Sequence, residues 1–132
     1  MNYLARFAVS SLAMMAFLFA PPAANAGVQR PFDARAFAAA QDAGKPTLIE
    51  IHADWCPTCK AQLPILDKLS SEPGFANLVR FRVDFDTQKD LLRQFKAKMQ
   101  STLVLYKGKA EVARSVGETD AARIRSMLNK AL

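Results

Sequence analysis

The run Thr47–Asp54, TLIEIHAD, leads through Trp55 alone into Cys56 and Cys59, and this juncture restricts the fold more than any other stretch of the chain. Its near-continuous apolar and β-branched content reads as a strand buried on both faces. Such a strand needs a covering layer on each side of its sheet, which places the two cysteines at the strand's carboxyl end, at the start of whatever follows.

The flanking segments supply those layers. In PFDARAFAAAQDAGKP, Asp33 is placed to cap a helix, Phe37 and Ala40 recur at helical spacing, and Gly44 and Pro46 are stop signals. After the cysteines, Ala61, Leu63, Ile65, Leu66 and Leu69 continue at helical spacing up to SSEPG, with Pro64 inside the helix. A proline there removes a hydrogen bond and predicts a kink. NLVRFRVDFD alternates Leu78, Arg80, Arg82 and Asp84 with Val79, Phe81, Val83 and Phe85, which predicts a second strand with one face in the core. Thr87 is placed to cap a helix whose Leu91, Leu92 and Phe95 form the buried stripe. STLVLY then reads as a third strand, KGK as a turn, and AEVARSV as a fourth strand in a hairpin with it. Thr119 opens a last helix in which Ile124, Met127, Leu128 and Leu132 share a face.

This order predicts an α/β domain with a central four-stranded mixed sheet and helices on both faces. A right-handed β-α-β crossover makes the first two strands parallel, and the tight turn makes the last two antiparallel.

Residues 1–26 read as an export signal. Arg6 supplies a positive start, Phe7 to Ala20 is apolar apart from Ser10 and Ser11, Pro21 and Pro22 break any helix, and Ala24-Asn25-Ala26 matches a small-x-small cleavage site. The apolar stretch is shorter than the roughly 20 residues that span a bilayer, although retention as a membrane anchor is the alternative. Cleavage after Ala26 leaves residues 27–132, enough for one domain, in a periplasmic or otherwise exported location. With Arg6 gone, 17 basic and 12 acidic side chains remain, a formal charge of +5. The charges are spread along the chain with no basic run or aromatic-interleaved patch, so nucleic-acid binding is not expected.

Two cysteines in an exported chain are too few for a stapled scaffold and point to chemistry. At a helix start, Cys56 would face unpaired backbone amides and the positive end of the macrodipole, both of which favour its thiolate as a nucleophile. Cys59, one turn on, is spaced to attack the resulting mixed disulfide and release the reduced partner. No cofactor is required. A static disulfide is a weaker reading, since a four-residue loop removes little unfolded-state entropy. A closed zinc site wants four ligands, and beyond the cysteines there is one histidine, His52. A Cu(I) module using Cys56 and Cys59 with His52 or Met99 is the rival from another class, and a non-redox adaptor is a third.

WCPTCK, Pro64, VDFD, STLVLYKGK and Gly117 together resemble the thioredoxin-fold family along nearly the whole of residues 27–132. ADWC with the following CK is similar to periplasmic reductase domains of transmembrane electron carriers, and Pro57-Thr58 to cytochrome-c-maturation thioredoxins, which leans toward reduction. The resemblance implies protein disulfide or thiol substrates and a monomer; in an oxidising compartment a reductase must itself be recharged, so the exported location implies a membrane-bound electron donor. The resemblance also implies that Glu50 is a buried acid behind Cys59 that accepts its proton, with Arg82 as the acid's basic neighbour, and that Trp55, Pro57, Thr58, Gln100 and Ser101 meet the substrate. His52, where the family carries an aromatic ring, is expected to pack. The departure is Ser101, where the family has a cis-proline before the third strand. A cis bond to a residue other than proline costs about 2.5–4 kcal/mol, so a trans Gln100–Ser101 bond is expected.

Overall fold

The computed structural model describes residues 27–132; the export segment expected over residues 1–26 lies outside them. A three-residue strand that the sequence pattern did not reveal, β1 (Gln29–Pro31), comes first. The helix after it begins where expected: Asp33 accepts the amide of Ala36 at 2.7 Å, and α1 spans Ala34–Asp42. Beyond Gly44 the chain enters β2 (Pro46–His52), in which every residue is buried. Cys56 then caps α2 (Pro57–Ser70), with Pro57 at a first-turn position where its missing amide costs nothing and Pro64 inside.

β3 (Val79–Asp84), α3 (Lys89–Gln94), β4 (Thr102–Lys107), β5 (Ala110–Val116) and α4 (Ala121–Leu128) complete the chain. Two caps differ from expectation. Thr87 does not cap α3; its amide and hydroxyl both donate to Asp84, whose side chain organises the turn instead. The last helix starts from Asp120, not Thr119, because the Asp120 carboxylate accepts the amide of Arg123 at 2.9 Å. A carboxylate is the better acceptor for a helix's unpaired amides, and it adds favourable charge at the dipole's positive end.

The sheet order is β1-β3-β2-β4-β5, with β1, β3 and β2 parallel and β4 and β5 antiparallel to their neighbours. The four expected strands are therefore present with the expected senses, and β1 adds an edge beyond β3. The alternation Leu78-Arg80-Arg82-Asp84 suggested a solvated face, yet α2 lies over Arg80, bonding it through Asp67 and Ser70, and Arg80 is fully buried.

Two apolar layers enclose the sheet. On one face Phe37 and Ala40 of α1 and Leu92 of α3 pack with Phe95 on Ile49, Ile51, Phe81, Val83 and Val104. On the other, Leu66 and Leu69 of α2 and Ile124, Met127 and Leu128 of α4 pack on Leu48, Leu103 and Leu105. Phe32, Phe37, Phe81, Phe95 and Tyr106 meet edge to face or tilted at centroid distances of 5.4–6.4 Å, so the first layer is aromatic as well as aliphatic. Both layers hold β2 in place, and β2 carries the chain to the cysteines.

Candidate active site

Strand β2 ends at His52 and the chain turns through Ala53–Trp55, where the amide of Cys56 donates to the carbonyl of Ala53 at 3.1 Å. This turn delivers Cys56 to the N-cap of α2 in extended backbone geometry, with its sulfur over the helix's first unpaired amides. Cys56 Sγ accepts the amide of Cys59 at 3.1 Å. Both thiols are free and only 2 % exposed.

The two thiols are driven apart. Burial alone would raise the pKa of Cys56, but hydrogen bonds from the Cys59 thiol, the Ser101 hydroxyl and the amides of Cys59 and Thr58 outweigh it and hold the thiol below its ordinary value. Burial raises Cys59, and its hydrogen bond to Cys56 raises it further. The pair thus has one sulfur prepared to ionise and one that keeps its proton.

Ser101 stands directly opposite. No peptide bond among the described residues is cis, so the Gln100–Ser101 bond is trans, as the energetic cost required. The backbone instead adopts φ +60° at Ser101, a left-handed conformation that costs a non-glycine residue of the order of 1–2 kcal/mol. Three hydrogen bonds hold it there: its amide donates to Ile51 at 2.8 Å, and its carbonyl accepts from Gly117 at 3.0 Å and from Gln62 Nε2 at 3.2 Å. The outcome is a buried hydroxyl 3.1 Å from Cys56 Sγ and 3.3 Å from Cys59 Sγ.

The rim of this centre is exposed. Trp55 is 57 % exposed, with its indole N–H donating to Asp86 at 2.8 Å, and Pro57, Met99 and Val116 are exposed with it. Thr58 and Gln100 are half-buried. Of the residues expected to meet a substrate, Trp55, Pro57, Thr58 and Gln100 reach solvent and Ser101, against both sulfurs, does not.

Glu50 is buried on the α2 side of the sheet, and its hydrogen bonds go to Arg80 and Gln29, not to Cys59. Its basic neighbour is Arg80. Arg82, the expected one, turns to Asp54, which is also 3.2 Å from His52 Nε2. Burial pushes the Glu50 carboxyl above the usual range against the opposing pull of Arg80 and Gln29. His52 is buried, as a packing role requires, and burial lowers its pKa. Among the described residues no group of three or more His, Cys, Asp or Glu side chains is placed to hold a metal ion.

Three contributors escaped the sequence reading: Gln62, Arg80 and Asp86. Gln62 did carry a signal, being a polar residue three positions after Cys59 and hence on the same face of α2.

Comparison with known proteins agrees with this geometry. A family profile described as Thioredoxin matches residues 30–130. The chain is 32 % identical to a thioredoxin of Coprinus comatus over 91 residues, which covers 69 % of this chain and 85 % of that one. It is 34 % identical over 103 residues to a bifunctional thioredoxin reductase/thioredoxin of Mycobacterium leprae, where the match covers 77 % of this chain but spans only 22 % of the longer protein. Among solved structures, Trxlp of Edwardsiella tarda superposes with a TM-score of 0.74 at 44 % identity, covering 76 % of this chain and 98 % of that one. With its fold, its helix-capping Cys56 and its paired Cys59, the chain belongs to the thioredoxin family of protein thiol–disulfide oxidoreductases.

Proposed function

We propose that this chain is an exported thioredoxin that reduces disulfides in partner proteins, with Cys56 attacking and Cys59 resolving. The observation that carries the assignment is the asymmetry of the pair: Cys56 Sγ takes an amide and a hydroxyl as hydrogen-bond partners and is shifted toward the thiolate, while Cys59 is shifted toward the thiol.

The Cys56 thiolate attacks one sulfur of the substrate disulfide. A Cys56–substrate disulfide forms, the substrate bond breaks, and the departing thiolate takes a proton from water. Cys59 then loses its proton and attacks Cys56 Sγ; the intramolecular disulfide forms and the second substrate sulfur leaves as a thiolate, which takes a proton from water. The protein is oxidised by two electrons and the substrate reduced by two. Glu50 is the proposed acceptor of the Cys59 proton, since burial raises its carboxyl above the ordinary range against the pull of Arg80 and Gln29. Trp55, Pro57, Thr58 and Gln100 form the surface that meets the substrate chain.

Export rests on the leader pattern of residues 1–26. In an oxidising compartment a reductase must be recharged, so the reading carries a membrane-bound electron donor as partner, and the protein acts as a monomer. The deciding measurement is the reduction potential of the Cys56–Cys59 pair. A value near thioredoxin's, about −270 mV, supports the reductase, whereas one near −120 mV makes the protein a disulfide donor. Cys56→Ser is expected to abolish exchange, and Cys59→Ser to trap the mixed disulfide. Exchange at the wild-type rate by Cys56→Ser would overturn the assignment of nucleophile.

A further inference from the structure

We propose that Ser101 is a catalytic residue whose hydroxyl serves both sulfurs in turn, donating to Cys56 while it is the attacking thiolate and to Cys59 when it becomes the resolving one. The proposal rests on the reading of the pair as a disulfide-exchange couple.

The geometry leaves few arrangements of protons. The Ser101 oxygen is within hydrogen-bond reach of both sulfurs, at 3.1 and 3.3 Å, but carries a single hydrogen. With Cys56 ionised and Cys59 protonated, the Ser101 O–H donates to the Cys56 sulfur, and the one Cys59 S–H is shared between that sulfur and the Ser101 oxygen. Each bond polarises the next, so the Cys59 proton strengthens the hydroxyl's donation to the nucleophile. Among the described residues, the side chain hydrogen-bonded to both sulfurs is that of Ser101. Ser101 is thus the one neutral side chain able to follow the charge as it moves.

It must move. Once Cys56 is bonded to substrate its sulfur bears no charge and the hydroxyl is released. A rotation about one torsion then turns the O–H to Cys59, where it stabilises the thiolate that attacks Cys56. The first step forms a Cys56–substrate bond and expels a substrate thiolate. The second transfers the Cys59 proton to the acceptor, forms the Cys56–Cys59 bond and expels the other substrate thiolate. Ser101 has the same single proton before and after.

The backbone supports this use. A residue merely filling space here would be better as glycine, which takes positive φ without a steric penalty. Ser101 is held at φ +60° by bonds to Ile51, Gly117 and Gln62, and what that conformation achieves is the placement of one hydroxyl.

The test is the pH dependence of iodoacetamide alkylation at Cys56 in the reduced protein, read by peptide mapping, for the wild type, Ser101→Ala and Ser101→Gly. Removal of the hydroxyl is expected to slow alkylation at neutral pH about tenfold and to move its midpoint up by about one pH unit, a factor equivalent to about 1.4 kcal/mol. Ser101→Gly is expected to do this while melting no lower than the wild type, because glycine is at ease at that φ. A variant that is merely less well folded would not combine those two results. In single turnover, release of substrate thiol from the mixed disulfide is expected to slow by a similar factor. An unchanged alkylation midpoint in either folded variant overturns the proposal. Absence of disulfide exchange in the wild type would overturn the functional reading, and the alkylation titration would still decide whether the hydroxyl stabilises the thiolate.

Discussion

Arg80 and Glu50 form a buried ion pair beneath the active-site helix, with Nε donating to Oε1 at 2.6 Å and Nη2 to Oε2 at 3.2 Å. The remaining guanidinium nitrogen, Nη1, reaches Asp67 at 2.7 Å, Ser70 at 3.0 Å and the carbonyl of Gly27 at 3.1 Å. One side chain therefore ties β3 to β2, to α2 and to the start of the described chain. Gly27 fits there because a Cβ at that position would stand 2.6 Å from the carbonyl oxygen of Ser70.

Arg80→Met is expected to destabilise the protein by about 3–5 kcal/mol at neutral pH, because it leaves the Glu50 carboxylate buried without its cation. The loss depends on pH. Glu50 already has its folded pKa raised by burial, so its contribution to stability is present below the unfolded value and lost as pH rises through the folded one. Removing the cation raises that pKa further and widens the window. The deficit of Arg80→Met measured by urea denaturation should therefore shrink as pH is lowered toward 4; a deficit independent of pH would contradict the ion-pair account.

If Glu50 accepts the Cys59 proton, Glu50→Gln should slow the resolving step by roughly a hundredfold while leaving the first attack by Cys56 unchanged. Rapid-quench separation of the two steps on a model disulfide checks this. Wild-type rates in both steps would confine Glu50 to its ion pair with Arg80, the partner to which its carboxylate is turned.

Gln62 is 4 % exposed and its amide bridges two loops, donating to the carbonyls of Ser101 at 3.2 Å and Glu118 at 2.9 Å. Gln62→Leu keeps the volume but strands the Glu118 acceptor, at a cost of about 1–3 kcal/mol. The expected signature is faster hydrogen exchange at the amides of Ser101 and Gly117, with the rest of the sheet protected as before. Uniformly altered exchange would mean that Gln62 supports the fold at large rather than the Ser101 loop.

The layers of this fold were legible because they rest on periodicity: Phe37 and Ala40, Val79 to Val83, and Ile124 to Leu128 all pack where their spacing put them. β1 was not, because Gln29-Arg30-Pro31 is too short and too polar for a period to register; its pairing with Arg80–Arg82 supplies the order that its composition does not. Arg80 was hidden for a related reason: its partners are Glu50 on β2, Asp67 and Ser70 on α2, and Gly27. A polar residue at an alternating position reads as solvated unless something covers it, and what covers Arg80 is distant in sequence. The cysteines were legible for the opposite reason, since their chemistry is local to one helix start. The role of Ser101 depends on a loop 42 residues from Cys59 and on a positive φ that no pattern announces.

The indole of Trp55 is fixed by its hydrogen bond to Asp86, so that a half-exposed ring lies beside Cys56 in one orientation. A hydrogen bond to a carboxylate is shorter and stronger than one between neutral groups, and it orients a ring that packing does not enclose. Since Trp55 is the chain's single tryptophan, its fluorescence reports this contact without interference. Asp86→Ala is expected to lower the anisotropy of that emission and to weaken mixed-disulfide formation with a protein substrate several-fold. Alkylation of Cys56 by iodoacetamide, which needs no docking surface, should be unchanged. If alkylation fell in step with substrate reactivity, Asp86 would act on the thiol itself and the ring would not be the surface that partners meet.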